Sequence, residues 1–371
     1  MDFIKVQPEG RADMDRSQDE LSELATSPIE QEPRRADEVV AVYLSERVAE
    51  FREVSDLQKK GWSSKEADKF FEKQRQVADN CDAPTARLFY DMMQRMALYL
   101  NQATGGLTVA NPAGSTDVSI MDFCMAPGGF LGTALSLNPG SRALAFTLPS
   151  ESGGHEILLP YTPNVTTKFL DITMLAADMG VMDIPIAHPD AANFLPQVFK
   201  PGPTFDLVLC DGQVLRTQAR ASYRENREAR RLTTTQLALG LEHVKPDGTM
   251  IVLLHKVEAW ETVRLLHRFS KFSTVQLFKP TTSHAKRSSF YMVAAGIQHQ
   301  HPEAVLAVEC WKTSWKVVTF GTDEECEGAV REGELAVDEV LEEFGPELVR
   351  MGRAVWEVQA KALARAPWMR S

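Results

Sequence analysis

Between residues 118 and 297, short apolar runs of strand character alternate with helix-like segments, and this alternation restricts the fold more than any other feature of the chain. VSIMDF, RALAFTL, VTTKFL, FDLVLC, GTMIVLLH, TVQLFK and FYMVAAG have the length of strands, and FDLVLC is apolar on both sides. Helix-like segments fall between them at GFLGTALSL, at residues 230–243 and at ETVRLLHRFSKF. Strands alternating with helices predict an α/β fold with a mostly parallel sheet and helices on both faces. Only one loop separates TVQLFK from FYMVAAG, so these two are expected to pair antiparallel.

The flanks differ. Residues 1–36 are polar, without sustained periodicity, and are expected to form a disordered tail. A helical segment is predicted over 37–105, where ADEVVAVYLSERVAEFREV and PTARLFYDMMQRMALYLNQA repeat apolar residues at three- and four-residue steps, the second opening at Pro84. Residues 106–297 form the α/β domain. Residues 298–371 are expected to be an α+β extension, with strands at AVLAVECW and WKVVTF and a long helical pattern interrupted near Gly345-Pro346. Trp311, Trp315, Trp356 and Trp368 are expected to anchor this extension to the main domain or to form a partner surface.

Composition excludes several classes. No window approaches a membrane span, and the N-terminal stretch lacks the apolar core of a signal peptide, so a cytoplasmic or nuclear protein is expected. The five cysteines are scattered, with no Cys/His cluster, which supports neither a disulfide framework nor a metal site. A net charge of −11 argues against nonspecific nucleic-acid binding by the whole surface and leaves room for a local basic groove.

Ligands of open α/β sheets bind outside the carboxyl ends of the strands, where the winding reverses. DFCMAPGGF (122–130) joins a strand to a helix start there, with glycines that let a ligand approach the backbone. It is neither GxGxxG nor a P-loop. The stretch resembles the first motif of the FtsJ-like ribose 2′-O-methyltransferases. FDLVLCDG (205–212), PDGTMIVLLHK (246–256) and KPTTSHAKRSSFYMVAAG (279–296) resemble later motifs of that family, in the same order.

The resemblance implies a Rossmann-like methyltransferase sheet with S-adenosylmethionine (SAM) as cofactor and no metal. It implies that Asp122, Ala126, Pro127, Gly128, Gly129 and Phe130 form the cofactor loop. Asp171 would read the adenine amino group, unless it is a helix N-cap. The acid that usually holds the ribose has no counterpart at the end of the second strand, where Thr147 stands and no acid follows before Glu151. Of the family's Lys-Asp-Lys-Glu tetrad, Asp211 and Lys256 match the middle pair. Lys256 would be the base or hydroxyl-orienting residue, and Asp211 would orient Lys256 and the methyl donor. The outer positions fall on Asp91 and Ser289, with Arg87, Lys69 or Lys73 as substitutes in space for the first lysine. His255 should point to the opposite face from Lys256 and is read as a packed residue.

RNA is the partner that the resemblance implies. Six arginines and two glutamates between Arg216 and Arg231 suggest where it would bind: Arg216, Arg220, Arg224, Arg227 and Arg231 recur as one helical face, and Lys286 and Arg287 lie on the same side. The alternative is a face with internal Glu–Arg pairs. Three functional readings stay open: an active RNA 2′-O-methyltransferase, a methyltransferase for another acceptor, and a catalytically inactive SAM- or RNA-binding module.

Overall fold

The computed structural model describes residues 28–80, 82–110, 118–328 and 336–369. Most of the expected tail, Cys81 and part of the break before the first strand lie outside the described residues. Residues 28–36, assigned to the tail from sequence, belong instead to a helix, α1 (Pro28–Arg47). It is followed by α2 (Ala49–Trp62), α3 (Lys65–Asp79) and α4 (Ala83–Thr104). Asp82 caps α4 by accepting from the Thr85 amide at 2.9 Å, and Gly105 closes it in the left-handed conformation at φ 69°.

The sheet holds β1 (Ser119–Asp122), β2 (Arg142–Thr147), β3 (Val165–Phe169), β4 (Phe205–Cys210), β5 (Val244–His255), β6 (Thr274–Phe278) and β7 (Ser289–Ile297) in the order β3-β2-β1-β4-β5-β7-β6. The pairs from β3 through to β5 are parallel, and β7 runs antiparallel to both β5 and β6. From β1 the chain winds outward to β3. It then crosses back to β4 beside β1 and winds the other way. The carboxyl ends of β1 and β4 therefore flank the point where strand order reverses.

Strand alternation divides the core in two. Ile120, Leu207, Leu209, Ile251, Leu253 and Tyr291 face α4 and α5 (Gly129–Leu137). Met121, Val208, Cys210, Val252, Phe290 and Met292 face a larger cluster that contains α1, α2, α6 (Glu228–His243), α7 (Trp260–Ser270), α8 (Pro302–Phe320) and α10 (Val337–Ala364). A short α9 (Asp323–Gly328) separates the last two.

The C-terminal extension departs from expectation. AVLAVECW and WKVVTF are not strands but parts of the single helix α8, and the described part of the extension is helical throughout. The reason is the period: Ala304, Ala307, Trp311, Trp315 and Val318 are buried at three- and four-residue steps, a helical stripe that the density of apolar residues conceals. Helix α10 also runs without a break through Gly345-Pro346. Phe344 and Leu348 are buried on either side of the proline, and that packing carries the helix past the missing amide. All four tryptophans expected to anchor the extension are buried.

Candidate active site

A cavity of about 430 Å³ opens at the carboxyl ends of β1 and β4, within the range of small-molecule sites. Its walls come from the loop after β1 (Phe123, Cys124, Ala126, Pro127), the loop after β2, the turn after β3, the segment after β4 and the start of α4. The loop after β1 is fixed at several points. Asp122, only 1% exposed, accepts the Cys124 amide at 3.1 Å, the Met125 amide donates to Phe146 O at 2.9 Å, and the Leu158 amide donates to Pro127 O at 2.9 Å.

The structure separates the expected cofactor residues into two groups. Ala126, Pro127, Asp171 and Asp211 line the cavity. Asp122, Gly128, Gly129 and Phe130 stand behind it. Gly128 has φ 105°, and a Cβ there would lie 2.8 Å from Leu159 Cβ; a Cβ on Gly129 would lie 2.5 Å from Tyr90 O. The glycines therefore serve the turn and the seating of α5 on α4. Phe130 is buried against the Tyr291 ring, with centroids 5.2 Å apart.

Asp211 is held in the wall by its neighbour. The Gly212 amide donates to Gln236 Oε1 of α6 at 2.9 Å, and a Cβ on Gly212 would meet Cys124 Sγ at 2.3 Å, so the β1 and β4 loops close together only around glycine. Burial, and then the Asp211 carboxylate, push the Tyr291 phenol well above its ordinary pKa. The Tyr291 hydroxyl has no hydrogen-bond partner among the described residues. Lys256 ends β5 in a left-handed turn at φ 48°, its amide donating to Ser288 O at 3.2 Å. Its side chain is exposed and does not line the cavity.

The outer tetrad positions are not supplied by lysine and glutamate. The cavity face of α4 is Ala83, Ala86, Phe89 and Met93. Asp91 instead pairs with Arg87 at 3.1 Å on another face, and Lys69 and Lys73 are exposed on α3 and do not line the cavity. Ser289 is buried opposite His255 in the β5–β7 register. Burial, then the cations Lys279, Arg287 and Lys256, push the pKa of His255 down to about 3.

The arginine-rich stretch departs from the expected phosphate-binding face. Residues 216–231 do not form one helical face: a loop and a 3₁₀ turn (Ser222–Arg224) precede α6. Arg224 is 4% exposed and donates to Asp171 Oδ2 at 2.6 Å and Glu228 Oε2 at 2.8 Å. Arg231, fully buried, donates to Glu228 at 2.9 Å and to Thr173 O at 2.9 Å. Arg227 bonds Asp323 and Gly321 O, Arg220 pairs with Glu225 at 3.3 Å, and Arg216 pairs with Asp79 at 2.6 Å. The internal Glu–Arg alternative is the one the structure contains. Lys286 and Arg287 lie over the Phe70 and Phe71 rings, and Arg287 is buried.

Sequence reasoning missed His155, Glu156 and Gln218, which reach the cavity from loops after β2 and β4. The expected ribose acid is absent at the end of β2, where Thr147 lines the cavity, but Glu156 enters the same wall. Six carboxylates (Asp79, Asp82, Glu156, Asp171, Asp211, Glu228) and one arginine line the cavity. Even with Asp79 paired to Arg216, Asp171 to Arg224, and Glu228 to Arg224 and Arg231, acids outnumber bases in and behind this wall, which suits a ligand carrying ammonium and sulfonium charge and disfavours a polyphosphate. SAM fits this chemistry. Asp171 is the N-cap of the 3₁₀ turn Ile172–Met174, accepting the Thr173 amide at 2.9 Å, and it lines the cavity together with Gln218 and Asp211.

A mostly parallel seven-stranded sheet with an antiparallel β7 and a cavity at its switch point defines a Rossmann-like methyltransferase domain. The profile of the FtsJ-like methyltransferases matches residues 95–297, more than half of the chain, and the chain belongs to that family, whose cofactor is SAM. No curated protein matches the sequence significantly. Similar solved structures include an O-methyltransferase family protein from Burkholderia thailandensis, at 13% identity and a TM-score of 0.32 over 60% of this chain and 62% of that one. The match thus spans less than two thirds of that protein. The fibrillarin/NOP5P complex matches at 10% identity and 0.32 over 55% and 83% of the two chains. Human methyltransferase-like protein 13 in complex with SAH matches at 10% and 0.32 over 64% and 93%.

Proposed function

We propose that the chain transfers a methyl group from SAM to a ribose 2′-hydroxyl of RNA. The observation that carries this reading is the placement of Asp211 and Lys256 just past the carboxyl ends of the adjacent parallel strands β4 and β5. Asp211 lies in the cavity wall at the end of β4, and Lys256 is exposed at the end of the adjacent β5. SAM supplies an already activated methyl group, so the protein's task is alignment and proton removal. The β1 loop and the wall around Asp171 hold the donor. Asp211 faces the reacting end of the cavity. Lys256 meets the acceptor hydroxyl and orients it or takes its proton. Arg216 and Lys286 keep access to solvent for contact with phosphates, whereas Arg224 and Arg287 are buried.

The apolar cavity face of α4 and the hydroxyl at Ser289 favour a second reading, a SAM-binding module without catalysis. The two are separated by incubating the protein with labelled SAM and RNA and analysing nucleosides after digestion. The expected result is 2′-O-methylated nucleoside, reduced about 100-fold or more in Lys256→Ala with SAM binding retained. SAM binding without transfer to RNA would favour the module.

A further inference from the structure

We propose that Gln218 reads the adenine of the methyl donor, held in its reading orientation by Asp171. The inference rests on the donor-pocket reading above. A carboxylate offers about four acceptor positions. Those of Asp171 are taken: Oδ1 accepts from the Thr173 amide at 2.9 Å and the Thr173 hydroxyl at 2.7 Å, and Oδ2 accepts from Gln218 Nε2 at 3.0 Å and Arg224 Nη2 at 2.6 Å. An adenine amino group therefore finds no acceptor position left on Asp171 itself.

Gln218 lines the same cavity beside Asp171, Ile172 and Thr173. Because a carboxylate only accepts, the amide must turn its nitrogen to Asp171. The carboxamide then keeps one acceptor, Oε1, and one N–H for a ligand. That acceptor–donor edge complements the amino group and ring nitrogen of adenine, the pairing by which carboxamides recognise this base. Hypoxanthine presents a carbonyl where adenine has its amino group. Reading it requires the amide to turn over, which sets Oε1 against Asp171 Oδ2. Arg224, itself fixed by Glu228, prevents Asp171 from giving way. The segment carrying Gln218 is tied on both sides of the cavity mouth, by Arg216 to Asp79 at 2.6 Å and by the Thr217 hydroxyl to Gly153 O at 3.5 Å.

The test is calorimetric titration of the full chain with S-adenosylhomocysteine and with its hypoxanthine analogue, for the natural protein, Gln218→Ala and Gln218→Glu. The natural protein is expected to prefer the adenine compound by about tenfold or more. Gln218→Ala is expected to lose most of that preference while keeping its thermal midpoint and its affinity for the analogue. Gln218→Glu, which sets a second carboxylate against Asp171, is expected to bind the adenine compound more weakly than the natural protein. Unchanged or tighter binding of S-adenosylhomocysteine by Gln218→Ala would overturn the role of Gln218 and leave the donor pocket standing. No binding by the natural protein would overturn the donor pocket and this inference with it.

Discussion

At the scale of single residues, His255 shows how the end of β5 couples to pH. Its imidazole is buried near Lys279, Arg287 and Lys256, and its folded pKa lies near 3, against 6.5 for an ordinary histidine. The unfolded chain therefore binds a proton between about pH 6.5 and pH 3 that the folded chain refuses. Stability attributable to His255 is full above pH 6.5 and is lost as the pH falls through this window. The slope is at most about 1.4 kcal/mol per pH unit for one proton. Urea midpoints measured from pH 7 down to pH 4 should fall more steeply in the natural protein than in His255→Gln. Parallel curves would mean that the surrounding cations do not act on this ring.

At the scale of elements, the turn after β3 and the start of α6 are joined by buried charge. Arg224 and Arg231 satisfy Glu228, Asp171 and Thr173, so removing one guanidinium leaves carboxylates uncompensated in the interior. Arg224→Ala should destabilise the fold by about 3–5 kcal/mol in chemical denaturation. At temperatures where the variant stays folded, its RNA affinity and the salt dependence of that affinity should match the natural protein. Preserved stability with a fall in RNA affinity would restore the phosphate-binding role that the spacing of the arginines suggests. The strands were legible because β4 and β5 are buried on both faces and read as continuous apolar runs. The places of Asp171 and Asp211 in the cavity wall were legible because each follows the carboxyl end of a parallel strand, β3 and β4. Gln218 and Glu156 were not, because their place depends on how two long loops fold over the cavity, which no local period records. The arginines misled for a related reason. A three- to four-residue recurrence fits a helix, but here it spans a loop, a 3₁₀ turn and a helix start, and the arginines pair with carboxylates inside the stretch (Glu225, Glu228) and far from it in sequence (Asp79, Asp171, Asp323).

At the scale of the whole molecule, the family segment is not self-contained. The profile ends at residue 297, yet the core on one face of the sheet continues into α8 and α10 and back into α1 and α2. Trp356 is the clearest link. It is 1% exposed, packs edge-on against Phe51 of α2 at 5.5 Å, and donates its indole N–H to Glu258 at 3.2 Å. Glu258 lies two residues after Lys256, and burial pushes its carboxyl pKa above the ordinary value. The C-terminal helix thus supports the turn from which Lys256 projects. Trp356→Ala removes the ring from the shared core and should cost about 3–5 kcal/mol. Trp356→Phe keeps most of the packing but leaves Glu258 without its donor, and should cost about 1–3 kcal/mol. Both losses should appear as a shift of one cooperative unfolding transition followed by circular dichroism and tryptophan fluorescence together, because α2, α10 and the sheet share a core. Two separate transitions, with the sheet unaffected by either substitution, would show that the extension docks on a methyltransferase domain that stands without it.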